Sequence, residues 1–304
     1  MAPEKVVLAG ATGNVGVPIL EALLAADNDV VVLTRKGSDS TSKLPKHPKL
    51  TIKQVDYTSV AELTEAVKGA KVVVSTLATA SVAEQTPLIE ASIAAGVQRF
   101  IPSEFGSNTL NPHSAALPVF GNKVATAEYL KSKAAQNPAF TYTLVITGAF
   151  FDWGMRMGFL IDPAKHTANL YNGGDVLFSA STLPSIGTAV AGVVAHLPET
   201  ANRAVYVYDA LVSQNQLIGY AKEKDGQEWS LTPKDSEKIR TDGLAELAKG
   251  PAPASIGPIM VGFIISAIFN PDFGGNFRGF DDNALLGVKV KSEGEIKALV
   301  HSLM

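Results

Sequence analysis

Short apolar runs alternate with amphipathic stretches along the first half of the chain. Lys5–Ala9, Val30–Thr34, Leu50–Val55, Lys71–Thr76, Arg99–Ile101 and Tyr142–Ile146 are of strand length, and most are rich in β-branched residues. Val30–Thr34 is apolar almost throughout rather than alternating, as expected of a strand covered on both faces. Between the runs lie helical patterns. Val15–Ala26 is one and Phe120–Ala135 another. A third opens on the capping sequence Ser59-Val60-Ala61-Glu62 and ends at Gly69; a fourth opens on Thr86-Pro87 and ends at Gly96. A hydroxyl before a helix accepts a first-turn N–H, a proline in that turn loses no bond, and glycine takes the left-handed conformation that ends a helix. Strand–helix–strand repetition predicts a parallel sheet with helices on its faces.

Beyond Thr147 the alternation stops. Asn172-Gly173-Gly174-Asp175 predicts a hairpin turn between Ala168–Tyr171 and Val176–Ser179. A helix over Ser185–His196, a strand over Ala204–Tyr208 and a helix capped by Ser213 follow. The fold class expected is therefore α/β: a Rossmann-type parallel sheet over residues 1–154, with a smaller α+β substrate-binding region over 155–304 partly packed back on the sheet. Residues 251–269 carry no charge, but Pro251, Pro253, Pro258, Gly257 and Gly262 interrupt them. The uninterrupted part, Ile259–Phe269, falls well short of the roughly 20 residues a spanning helix needs, so a buried helix or pocket wall is expected there.

Composition narrows the chemistry. The chain has 304 residues, 26 Lys+Arg against 29 Asp+Glu, and no cysteine. A net charge of −3 gives no basic footprint for nucleic acid. The lack of cysteine excludes disulfides, thiolate metal sites and a cysteine nucleophile. His47, His113, His166, His196 and His301 are scattered without metal-ligand spacing, so no metal is expected. No Gly-x-Ser-x-Gly elbow supports hydrolysis. The chain leads directly into its first strand and has no Asn-x-Ser/Thr sequon, which suits a cytoplasmic protein without a membrane anchor.

The candidate chemistry begins at Gly10-Ala11-Thr12-Gly13-Asn14-Val15-Gly16, which follows a strand and opens a helix. In that context three glycines at a spacing of three form a dinucleotide fingerprint. The first allows a sharp turn, the second lets backbone N–H groups approach a pyrophosphate, and the third allows close helix–strand packing. An NAD site wants a carboxylate at the end of the second strand. This chain has Thr34-Arg35-Lys36 there, and Arg35 can grip a 2′-phosphate through its planar fork, with Lys36 adding charge. NADP(H) is the cofactor expected. Asp56 ends the third strand and either accepts from the adenine amino group or caps the Thr58–Ser59 turn. Thr76 and Leu77 end the fourth and should lie along the cofactor.

Two lysines compete for proton transfer. Tyr129 and Lys133 match a Tyr-x-x-x-Lys pattern, but they come late in their helix, and Tyr129 lies about 240° around from Lys123. They read as a solvated surface pair. Lys123 sits in the helix's first turn, toward the strand ends.

Residues 10–16, Arg35 and above all Pro102-Ser103-Glu104-Phe105-Gly106, followed by Phe120-Gly121-Asn122-Lys123 and Gly148-Ala149-Phe150, resemble the NmrA-like branch of the atypical short-chain dehydrogenases. The isoflavone, pinoresinol–lariciresinol and phenylcoumaran benzylic ether reductases are the group most similar. The likeness covers roughly the first 155 residues well and the rest loosely. It implies an NADPH-dependent reductase with Lys123 as general acid/base, Val119 standing where other short-chain enzymes have a tyrosine. Pro102, Ser103, Phe105, Gly148, Ala149 and Phe150 would frame the nicotinamide. Phe105, Phe151, Trp153, Met157 and Phe263 are candidates for an apolar wall around a small aromatic or polyketide-like substrate. A homodimer is left open. Residues 107–118, with His113, follow their own pattern, so no plant substrate carries over. The rival readings are a nucleotide sensor acting on a protein partner and a quinone reductase.

Overall fold

The computed structural model describes residues 3–78 and 84–304, apart from the side chains at 40 and 41. Among the described residues the apolar runs become β1 (Lys5–Ala9), β2 (Asp29–Arg35), β3 (Leu50–Val55), β4 (Val72–Ser75), β5 (Arg99–Ile101) and β6 (Thr141–Ile146). The helices between them are α1 (Gly16–Ala25), α2 (Val60–Val67), α3 (Thr86–Ala94), the short α4 (Pro112–Ala115) and α5 (Gly121–Gln136). The predicted ends hold to within a residue or two. One cap differs: Thr86 is the first residue of α3, and Gln85 precedes it.

The second half contributes β7 (Ala149–Phe150), α6 (Phe151–Arg156), β8 (Thr167–Tyr171), β9 (Phe178–Ser181) and α7 (Leu183–Ala195). After these come β10 (Arg203–Tyr206), β11 (Ala210–Val212), α8 (Gln214–Asp225), β12 (Ser230–Lys234), α9 (Ser236–Ala248), α10 (Pro253–Phe269), α11 (Asn283–Leu286) and α12 (Glu293–Ser302). A seven-stranded sheet runs β10-β6-β5-β4-β1-β2-β3, parallel throughout. The chain goes from β1 outward to β2 and β3, then crosses back to β4 on the other side. That reversal opens a crevice at the carboxyl ends of β1 and β4, where α/β sheets bind ligands.

Why these runs are apolar end to end is visible in the packing. Val6, Leu8, Val30 and Val32 point into a cluster with Ile19 and Leu23 of α1 and Ile186 and Val190 of α7. Their neighbours Val7, Val31 and Leu33 point the other way, against Leu63 of α2, Leu88 of α3 and Leu130 of α5. Successive strand residues alternate faces, and here both faces are dry. Each such side chain contributes about 1.5–3 kcal/mol. α7 and β10 lie beyond residue 154 yet complete the sheet layer, while β7, β9, β11, α6, α8 and α12 enclose a separate core around Phe151, Phe178 and Leu217.

Two expectations are corrected. Asn172–Gly174 does turn the chain, with φ of +49° at Asn172 and +80° at Gly173, but it makes no hairpin. β8 instead pairs in parallel with β12, and β9 pairs with β7 and β11. The cause is a clamp. The Asn172 amide donates to Ser236 Oγ (2.7 Å) and the Phe269 carbonyl (2.9 Å), and its oxygen accepts from Ser236 N (3.0 Å). The turn is thereby fastened to a later segment, and its flanking strands diverge. The second correction is α10, which starts at Pro253 and runs through Pro258. Residues 253–258 are exposed, so water can satisfy the carbonyl that the proline leaves unpaired. No helix among the described residues is long and apolar enough to cross a membrane.

Candidate functional site

The glycine loop stands at the switch point with the geometry its spacing implies. Gly10 has φ of +85°, and a Cβ there would lie 2.6 Å from the Thr76 carbonyl. A Cβ at Gly16 would lie 2.1 Å from the Gly10 carbonyl, so only glycine allows α1 to approach β1 this closely. Gly13 donates to Gly10 O at 3.0 Å and closes the turn. No side chain caps α1, although Val17 N is taken by Gly13 O (3.1 Å) and Pro18 has no N–H, so the helix start can meet a ligand chiefly through the amides of the loop ahead of it.

A trough of about 510 Å³ runs along Gly10, Thr12, Gly13, Asn14, Val15, Arg35, Thr76, Leu77, Ser103, Glu104, Phe105, Lys123 and Phe150. At one end it continues into a recess of about 180 Å³ bounded by Thr34, Arg35, Tyr57 and Glu84. Arg35 ends β2 at this recess, and among the described residues no carboxylate pairs with it. Thr34 Oγ1 is buried beside it without a hydrogen-bond partner. A free guanidinium next to an orphaned hydroxyl fits a phosphate.

Of the expected cofactor residues, Gly16, Lys36, Asp56 and Pro102 do not line the trough or the recess, and Gly148 and Ala149 line the cavity beyond it. Lys36 is turned away and bound to Glu62 at 2.7 Å. Asp56 takes the capping role, accepting from Thr58 N (2.8 Å) and Thr58 Oγ1 (2.7 Å), which holds its carboxyl below the usual range. Glu62 accepts from Asp56 N at 3.2 Å, so it serves this turn rather than closing a capping box on Ser59. Pro102 is buried behind the trough wall, and Gly16 supports the loop from inside. Tyr57, which sequence reading did not single out, lines the recess beside Arg35. Its hydroxyl donates to Leu33 O at 3.0 Å, and burial pushes its pKa up. An aromatic residue just past the third strand was the available signal.

At the other end stands Lys123. The turn Pro102–Gly106 carries Phe105 at φ of +26°, a strained conformation for a non-glycine residue. That turn aims the Glu104 carbonyl at Lys123, whose ammonium donates to it. Ser103 ties the turn to the segment after β4 by donating to Leu77 O at 2.7 Å. Burial lowers the Lys123 pKa and the Glu104 charge opposes the change. Tyr129 and Lys133 are on another face of α5, as expected, but they are not merely solvated: both bind Glu90 of α3.

Beyond Lys123 the trough opens into a cavity of about 300 Å³, walled by Phe105, Val119, Phe120, Gly148, Ala149, Phe150, Trp153, Phe159 and three residues of α10, Val261, Ile264 and Ile268. Among the described residues, Lys123 is its one ionisable group. The expected wall residues divide. Phe105 and Trp153 line it, whereas Phe151 and Phe263 are wholly buried in separate cores and Met157 is 64% exposed. Helical periodicity could not say which face of α10 meets the cavity. His113 is exposed, packs near the Phe273 ring, and is absent from the wall. No metal-holding cluster occurs among the described residues.

The profile of the NmrA-like family matches residues 3–230. An oxidoreductase of Aspergillus flavus, aprR, is 32% identical over 97% of this chain and 98% of its own. Another from Penicillium oxalicum, poxI, is 33% identical over 99% and 95%. A solved structure described as AtPrR2 with NADP+ and (+)pinoresinol superimposes with a TM-score of 0.79 at 21% identity, over the whole of both chains.

Proposed function

This chain belongs to the NmrA-like family, and on that premise we propose that it is an NADP(H)-dependent reductase of a small, largely apolar, aromatic or polyketide-like molecule. The oxidoreductase relatives, similar over nearly their whole length, support the reaction class. The observation that carries the reading is the continuity of the trough. It runs from Arg35, which no carboxylate of the described residues pairs, past the uncapped start of α1, to Lys123 and into an apolar cavity. A bound nicotinamide would supply the hydride, and Phe105, Lys123 and Phe150, shared by trough and cavity, are the residues that would hold it.

The chain's own residues do the rest. Arg35 and the loop 10–16 hold the phosphates. Phe105 and Phe150, common to trough and cavity, hold the ring and the substrate together and keep water out. Lys123 would deliver a proton to the substrate oxygen as the ammonium or remove one as the neutral amine, and burial brings these two forms closer in free energy. Among the described residues the cavity carries no second charge, which suits a substrate with a phenol or carbonyl as its one polar end better than a dianion. A cytoplasmic setting is part of this proposal and suits a chain without cysteine.

The test is NADPH oxidation by the purified protein against phenolics, quinones, benzylic ethers and enones. At least one should turn over, and Lys123→Ala should reduce kcat by about 10²–10⁴-fold while NADPH binding persists. Tight NADPH binding with no turnover on any of them would instead indicate a sensor. Turnover of quinones insensitive to Lys123→Ala would remove the proton role.

A further inference from the structure

Glu104 meets Lys123 in two ways. Its backbone carbonyl accepts the ammonium, and its carboxyl, on a residue only 3% exposed, is held in the same turn by the Thr109 hydroxyl, which donates to it. Lys123 and the carboxyl do not form a contact ion pair, so the carboxyl acts through space across a poorly solvated gap, where charges are weakly screened.

The surroundings leave this interaction alone on the stage. Around Lys123 lie the Phe120 ring, 6.0 Å from the ammonium, and Gly106, where an added Cβ would come within 3.7 Å of it. Around Glu104 lie Pro102, Thr109 and the β5 end. The other cation of the trough, Arg35, sits at its nucleotide end. The charge acting on Lys123 is Glu104, and the charge acting on Glu104 is Lys123.

We propose that Glu104 is a positioning residue for the Lys123 ammonium: its carbonyl fixes where the ammonium points, and its buried carboxylate fixes how firmly the ammonium keeps its proton. An amine enclosed by Phe120 and the apolar cavity, with no counter-charge, would shed its proton and reach the substrate unable to donate. Burial drives Lys123 toward the neutral amine and Glu104 toward the neutral acid, and each charge opposes the loss of the other. Thr109 adds a hydrogen bond that favours the charged carboxylate. Since Thr109 stands in the 107–118 segment, that segment is coupled to the proton on Lys123.

The value of this device rests on Lys123 being the proton carrier, but its test needs no turnover. The full-length protein is acylated with trace acetic anhydride across a pH series, and modification at Lys123 is quantified by peptide mass spectrometry, with exposed Lys131 as internal reference. In Glu104→Gln, which keeps the shape and the Thr109 acceptor, the labelling midpoint of Lys123 should fall by about one pH unit, an approximately tenfold rise in neutral amine below both midpoints. Lys131 should not move. Thr109→Val, which leaves the carboxyl but removes its hydroxyl, should shift Lys123 the same way by less. A midpoint that stays or rises in Glu104→Gln overturns the assignment; should that protein not fold, the same result in Thr109→Val does so. A wild-type protein inactive on every reductase substrate would defeat the proposed reaction without touching this result.

Discussion

At the scale of single residues, the proposed choice of cofactor turns on two adjacent cations with opposite fates. Arg35 faces the recess unpaired, and Lys36 is held by Glu62. Arg35→Ala should therefore weaken NADPH binding roughly 10–100-fold, the worth of a charged hydrogen bond, with little effect on NADH. Lys36→Ala should leave both nearly unchanged; fluorescence titration with the two cofactors separates these outcomes. The pH response is set at the same scale. Burial depresses the Lys123 pKa from its usual 10.5. If the ammonium is the acid, kcat/KM is full while it is protonated and falls as pH rises through that depressed value. A plateau persisting past pH 10.5 would contradict the lowered value.

At the scale of elements, the legible part was whatever rests on local pattern. Apolar runs, caps and glycine spacing marked all seven strands of the large sheet, Ala204–Tyr208 without its place in it, and the loop at their ends, because each needs only near neighbours to be satisfied. The Asn172 turn was misread for the complementary reason: its glycines announce a reversal, but where the flanking strands go is decided by Ser236 and Phe269, far along the chain. The faces of Phe151 and Phe263 were likewise undecidable, since an aromatic on a helix suits a core as well as a cavity. Asn172→Ala should cost about 1–3 kcal/mol by orphaning the groups it binds, and hydrogen exchange should rise selectively in β12. Equal exchange across all strands would show that the clamp is not what holds that strand.

At the scale of the whole molecule, the C-terminal segment is fastened to the sheet layer through one wholly buried carboxylate. Asp209 accepts from Thr182 Oγ1 (2.5 Å), Ser185 Oγ (2.6 Å) and Lys291 Nζ (2.9 Å), while its carbonyl accepts from Lys291 N. Lys291→Ala should cost about 2 kcal/mol, read as a lower midpoint in urea unfolding, and a midpoint equal to wild type would show that the two hydroxyls suffice. A last consequence follows from α10. Its Val261, Ile264 and Ile268 form one side of the cavity, yet the helix belongs to neither the large sheet nor the glycine loop. Mutational drift along that single rim can thus retailor which molecules are admitted while the machinery for reducing them is inherited intact.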